Sequence, residues 1–148
     1  MTTHFSIRHL TSATEQEARA IEQLLAVLYG DVHPHVTPAT LEALVAKGGV
    51  LFVAEREDEI VATLTLVRYD TFAGVKFWIE DVVCAPEMRG CGVGRALVRC
   101  AKEWARGCCP EAPIYLTSRP SRTAARALYR SEGFEECPTT LFRYQAND

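Results

Sequence analysis

Three glycines in the run Arg89-Gly90-Cys91-Gly92-Val93-Gly94-Arg95 carry the most specific chemistry in this sequence. Ahead of them lies Phe77-Trp78-Ile79-Glu80-Asp81-Val82-Val83-Cys84, an apolar, β-branched run that reads as a buried strand. Behind them Val93, Leu97, Ala101 and Trp104 recur at helical spacing, with Arg95, Arg99, Lys102 and Arg106 on other faces. The glycines therefore sit where a strand turns into a helix. The first amides of a helix have no internal partner and stand at the positive end of its dipole. A phosphate can accept their hydrogen bonds where no Cβ blocks its approach, which is what Gly90, Gly92 and Gly94 permit. The competing role for the same glycines is a tight turn with close helix–strand packing.

The phosphate ligand is not set by the glycines alone. No Gly-Lys-Ser/Thr follows, so the nucleotide-binding Walker pattern is absent, and so is the Gly-x-Gly-x-x-Gly register of a dinucleotide fold. Arginines crowd the second half of the chain at Arg89, Arg95, Arg99, Arg106, Arg119, Arg122, Arg126 and Arg130, whereas acids dominate Glu55 to Glu59. A basic half around a phosphate cradle suits a polyanionic cofactor.

Two stretches together carry a family resemblance. Arg89-Gly90-Cys91-Gly92-Val93-Gly94 matches the Arg/Gln-x-x-Gly-x-Gly/Ala signature of the GNAT superfamily of acyl-CoA-dependent N-acyltransferases. Ala125-Arg126-Ala127-Leu128-Tyr129-Arg130-Ser131-Glu132-Gly133-Phe134 is similar to that family's second signature, Ala-x-x-Leu-Tyr-x-x-x-Gly-Phe. A helix, a strand and a second helix separate them in the family order. The similarity runs from Trp78 to Tyr144 and reaches the N-terminal half in element order only.

The resemblance implies an α/β fold with a central mixed sheet flanked by about four helices. It also implies an acetyl-CoA-dependent N-acetyltransferase, with acetyl-CoA as co-substrate, in which a primary amine of a small molecule attacks the thioester directly. The cofactor residues it implies are Val82, Val83 and Cys84, whose backbone pairs with the pantetheine arm, and Arg89, Gly90, Cys91, Gly92, Val93, Gly94 and Arg95 at the phosphates. Tyr129 matches the tyrosine that protonates the leaving thiolate in many members, a phenol being only slightly weaker an acid than an alkyl thiol. Glu80 stands on the strand where members often place a glutamate and is the expected acceptor of the amine's proton. Asp81, one residue on, is expected on the opposite strand face by alternation; it is the reserve for proton acceptance and a candidate for acceptor binding. A packing tyrosine and a structural ion pair are the competing roles for these groups.

The loop after the first helix overhangs the acceptor site in the family, which makes Tyr29, Asp31, His33 and His35 candidates for acceptor contact. Arg122 stands where members often carry an asparagine that touches the cofactor arm. Arginine is longer and charged, so its expected contact is a cofactor phosphate or the acceptor. Ile79-Glu80-Asp81-Val82-Val83 also looks like glucosamine-phosphate acetyltransferases. The alternatives are a protein or peptide N-acetyltransferase and a non-catalytic acyl-CoA sensor of the same fold.

The remaining sequence bounds these readings. A chain of 148 residues, 48% apolar and 24% charged, fits one globular domain with a sizeable core. A net charge of −3 argues against nucleic-acid binding. The six cysteines contain no Cys-x-x-Cys, and no leader is recognised, so free thiols in a reducing cytoplasm are expected. No apolar run reaches membrane-spanning length, so no membrane partner is expected. His33-Pro34-His35 has no acidic or thiol cluster beside it in the sequence, so no metal is expected. A homodimer is the assembly anticipated.

In chain order, Phe5 to Arg8 alternates as a first strand. Thr11 or Ser12 offers the cap for a helix bearing Ala18, Ile21, Leu24, Leu25 and Leu28, with Gly30 at its end. Thr37-Pro38 opens a second helix, stopped by Gly48-Gly49. Val50 to Glu55 and Ile60 to Val67 read as a hairpin with a charged turn, and Tyr69 to Gly74 as a connection. Gly107 and Pro110 end the long helix, Ile114 to Thr117 is a short strand, Pro120-Ser121 opens a last helix, and Thr140 to Tyr144 alternates as a last strand. The predicted order is βααβββαβαβ(β).

Overall fold

The computed structural model describes residues 4–146. The chain forms two compact units, Met1–Thr117 and Ser118–Asp148. The first unit contains β1 (Ser6–Leu10), α1 (Glu15–Tyr29), α2 (Pro38–Ala46), β2 (Val50–Arg56), β3 (Glu59–Thr71), β4 (Gly74–Cys84), α3 (Val93–Cys108) and β5 (Ile114–Tyr115). The second contains α4 (Thr123–Ser131). The strands form one sheet in sequential order, antiparallel from β1 to β4, with β5 added parallel to β4. This is the mixed α/β architecture expected from the sequence.

Strand β2 shows why the central strands read as unbroken apolar runs. Leu51 and Val53 pack into a cluster with Ile21, Leu24 and Leu25 of α1 and Leu41 of α2. Phe52 points the other way, meeting the rings of His9 and Trp104 at centroid distances of 5.7 and 5.8 Å. Helices thus cover both faces, and successive residues are buried irrespective of parity. On α3, Val93, Leu97, Val98, Ala101 and Ala105 form the buried stripe, while Trp104 keeps an exposed edge.

Local chemistry accounts for the element ends. Helix α1 starts later than Thr11 or Ser12: Thr14 caps it, accepting from the Glu17 amide while the Glu17 carboxylate accepts from Thr14 N–H. Ser12 also has a glutamate three residues on, Glu15, but the reciprocal box that forms is the one between Thr14 and Glu17. Glu17 and Glu55 both take Arg8, joining α1, β1 and β2. Thr37 and Pro38 open α2 as anticipated. The β2–β3 turn places Glu57 and Asp58 at φ +52° and +64°, a mirror-image turn made without glycine.

Two expectations are corrected. Tyr69 to Thr71 belongs to β3 and pairs with Gly74 to Lys76, so the hairpin is longer than the connection read from the sequence. Trp78 Nε1 donates to Tyr69 Oη across that hairpin at 3.1 Å. Thr140 to Tyr144 forms no strand; Leu141, Phe142 and Tyr144 are exposed. Alternation prepares a segment for a sheet, but a strand exists only when a neighbour supplies the ladder.

The second unit is built on the end of α4. Gly133 stands at φ +93°, its amide donates to the Arg130 carbonyl, and the Phe134 amide donates to the Tyr129 carbonyl at 3.0 Å. With the Phe134 ring edge-on to the Tyr129 ring, this is a Schellman cap complete with its apolar contact. The Gly-Phe pair of the second motif therefore has a structural task at this helix end. Arg126 and Arg130 both reach Glu136.

Candidate active site

The site begins with a fault in β4. Glu80 pairs with Thr65 and Val83 with Thr63, so Asp81 and Val82 together face Leu64. This is a β-bulge, and Asp81 holds it at φ +53°, a left-handed conformation that Asp tolerates better than most residues. A bulge breaks side-chain alternation between Asp81 and Val82, the two residues that face Leu64. Glu80 and Asp81 act through their charges on one another and on Tyr29 at the end of α1.

Tyr29 donates its hydroxyl hydrogen bond to Asp81 Oδ1. Desolvation first, then Asp81's hydrogen bond and charge, then Glu80's charge push the Tyr29 hydroxyl up to about 12. Half of the tyrosine's surface remains open to solvent (49%), yet at neutral pH it stays protonated and can only donate to the aspartate. Glu80's carboxyl is raised from its ordinary value by desolvation and by Asp81's negative charge, although the residue keeps an exposed surface. A raised carboxyl is a stronger base when ionised, which suits proton acceptance.

Beyond Trp78 one edge of β4 has no paired strand among the described residues. Strand β5 pairs with β4 only at Phe77 and Trp78, whereas β3 follows β4 as far as Cys84. The expected splay thus leaves the backbone of Val82, Val83 and Cys84 without a β5 partner. Val83 is buried, so it can offer only main-chain groups there.

The glycine turn has the geometry of a cradle. Gly90 and Gly92 adopt φ +78° and +82°, and Gly92 is the N-cap of α3 with no side-chain cap on the helix. Nothing lies within 4 Å of where a Cβ would stand on either glycine. The space above the turn is therefore free for a phosphate, and an L side chain would be strained there by its φ alone. Val93 is buried and offers its main chain only, while Arg89 is exposed and Arg95 partly so. The donor set and the open face fit a pyrophosphate.

Cys84 ties the strand to the cradle. The Gly94 amide donates to its sulfur, and its thiol is pushed up by burial against the opposing charge of Arg89. A thiol so disfavoured as thiolate is a poor nucleophile. Cys91 stays close to the turn, its Sγ 3.8 Å from the Arg89 carbonyl.

Tyr129 and Arg122 lie in the second unit. Tyr129 is buried on α4, and Arg122 is the exposed N-cap of that helix, which begins at Thr123 and so later than Pro120-Ser121.

The α1–α2 loop corrects a further reading. His33 and His35 do have an acidic partner: Glu22 of α1 stands 3.7 Å from His33 Nε2 and 3.4 Å from His35 Nδ1. Its carboxyl is held low, chiefly by the Val36 amide, which donates to Glu22 Oε1 at 2.7 Å, and then by His35. Sequence reading missed Glu22 because it sits more than ten residues away on a helix, with nothing in spacing to join it to the loop. Asp31 is exposed in the turn after Gly30.

This fold and site place the chain among known enzymes. The model of the acetyltransferase (GNAT) family matches residues 18–134, and the chain belongs to that family. It is an acyltransferase. An aminoglycoside N(6')-acetyltransferase type 1 from Stenotrophomonas maltophilia is 29% identical over 139 residues, covering 90% of each chain. A solved putative acetyltransferase from Agrobacterium tumefaciens is 30% identical, with a TM-score of 0.80 over 95% of this chain and 99% of that one. An aminoglycoside acetyltransferase from an uncultured soil sample, solved with sisomicin, shares the fold at a TM-score of 0.84 and 17% identity, with 97% of each chain covered. Among the described residues no helix is long and apolar enough to cross a membrane.

Proposed function

We propose that this protein transfers the acetyl group of acetyl-CoA to a primary amine of a small polycationic molecule, an amino sugar of the aminoglycoside type. The observation that carries the reading is the acidic pair Glu80–Asp81 at the bulge of β4, next to the stretch of that strand which β5 does not pair. Adjacent carboxylates favour a substrate with more than one ammonium group and disfavour an anionic one such as an amino-sugar phosphate. The activity named for the 29% identical relative supports the same class.

Acetyl-CoA supplies the electrophilic thioester carbon. The amides around Gly90 and Gly92, with Arg89 and Arg95, hold its pyrophosphate, and the free edge of Val82 to Cys84 pairs with its pantetheine arm. Asp81, fixed by Tyr29, anchors one ammonium of the acceptor. Glu80 takes a proton from the attacking nitrogen, directly or through one water, as the C–N bond forms. Tyr129, by its position in the second motif, returns a proton to the sulfur as the C–S bond breaks. The raised Cys84 thiol supports direct attack by the amine over an acyl-cysteine intermediate.

The test is thiol release from acetyl-CoA over a panel of an aminoglycoside with a 6'-amine, a linear polyamine, glucosamine 6-phosphate and a peptide N-terminus. The reading requires the aminoglycoside to give the highest kcat/KM. Preference for the sugar phosphate or the peptide would overturn it.

A further inference from the structure

We infer that Glu22, His33 and His35 form a binding site for a divalent transition-metal ion of the zinc type, which fastens the α1–α2 loop to α1. One ligand atom from each residue lies within 4.8 Å of the others. Two ligands about 2 Å from one ion at tetrahedral angles stand about 3.3 Å apart. Glu22 Oε1 stands 3.4 Å from His35 Nδ1 and Glu22 Oε2 stands 3.7 Å from His33 Nε2, so both carboxylate oxygens face the histidines near that spacing and small side-chain rotations close the set. Two imidazoles and one carboxylate are the donors that borderline ions such as Zn2+ and Co2+ prefer over Ca2+ or Mg2+.

The surroundings orient these donors. His33 Nδ1 lies 3.0 Å from the Gly30 carbonyl, which fixes Nδ1 as the protonated nitrogen of the neutral ring and leaves the Nε2 lone pair toward Glu22. The Val36 amide holds Glu22 Oε1 and so sets the carboxylate plane. His35 is largely exposed (side chain 85%), which gives an ion a path in and leaves solvent positions on it. All six cysteines lie from Cys84 onward, outside the cluster, so an ion here has nitrogen and oxygen ligands only.

The placement gives the ion a structural consequence. Glu22 and Tyr29 are seven residues apart on α1 and share a helix face. Glu22 holds the loop and Tyr29 holds Asp81 of the β4 bulge. An ion at Glu22 therefore fixes the loop that follows Tyr29, whatever the acceptor proves to be. The inference does not depend on acetyl transfer.

The experiment uses the full chain stripped with a chelator and titrated with Co2+, followed by visible absorption and calorimetry, with Zn2+ added as competitor. One ion per chain is expected, with d–d bands, no thiolate charge-transfer band, and displacement by Zn2+. His35→Ala, at an exposed position that leaves the fold intact, should weaken binding by at least the roughly 10–100-fold that loss of even an outer-shell partner costs. His33→Ala and Glu22→Gln should do the same. Amide exchange across residues 30–37 should slow when metal binds. No binding with Co2+ in large excess, equal affinity in His35→Ala, or a thiolate charge-transfer band would each overturn the site. Binding that leaves exchange of the loop unchanged would overturn its fastening role.

Discussion

Glu80 is held in the fold with its carboxyl raised, by desolvation and by Asp81. A carboxyl raised on folding binds its proton more readily in the native chain. The stability it contributes is complete below the ordinary carboxylate range and is lost as pH rises through the raised value. Glu80→Gln removes that loss, so the variant should gain stability relative to wild type as pH rises from the ordinary carboxylate range through the raised value, read by urea unfolding at a series of pH values. A constant difference would mean that Glu80 is not perturbed. The same variant should lose kcat/KM most below the acceptor's pKa and recover where neutral amine is abundant, because only then is no base needed. Asp81→Asn should show no such recovery. Tyr29→Phe removes the donor to Asp81 and should cost about 1 kcal/mol of stability. If Asp81 anchors the acceptor, it also raises KM for the amine while the pH profile of kcat stays in place.

At the scale of elements, one bulge and one turn separate a site from a sheet. The bulge holds Asp81 in a left-handed conformation, where it takes the Tyr29 hydroxyl beside Glu80; the turn opens the start of α3. Gly92 and Gly133 provide a matched comparison, since both stand at positive φ with open space around the missing Cβ. Gly92→Ala and Gly133→Ala should each lose about 1 kcal/mol from left-handed strain. Calorimetric titration should then find acetyl-CoA affinity reduced in Gly92→Ala and unchanged in Gly133→Ala. Equal affinities would make the glycine turn a packing device and remove the cradle.

For the whole molecule, a ligand that binds only the native state raises its stability, by about 2.7 kcal/mol at a hundred times Kd. Tyr129→Phe keeps the ring that packs against Phe134 and removes only the hydroxyl. The variant should retain the full rise in Tm with acetyl-CoA while turnover falls about tenfold to a thousandfold. Turnover equal to wild type at every pH would show that Tyr129 is a packing residue and that the thiolate leaves unprotonated.

The sequence by itself determined the family, the element order through α4 and the glycine turn that opens α3, because each of these is written locally. Arg89 to Gly94 spells a turn whose positive φ only glycine adopts freely, and Tyr129 to Phe134 spells a helix with its own cap. Thr37-Pro38 and Gly30 mark helix ends by the same local rules. Tertiary structure decided the rest. No period in Phe77 to Cys84 announces the bulge at Asp81, because a bulge is a mismatch of register with β3 and needs the partner strand to exist. Tyr29 was legible as a loop-adjacent candidate, but its bond to Asp81 joins residues on separate elements. Glu22 reaches His33 and His35 only because the loop turns back along α1. The alternation of Thr140 to Tyr144, conversely, was legible and yields no strand, because a sheet is made by a neighbour's hydrogen bonds and no pattern within one segment supplies them.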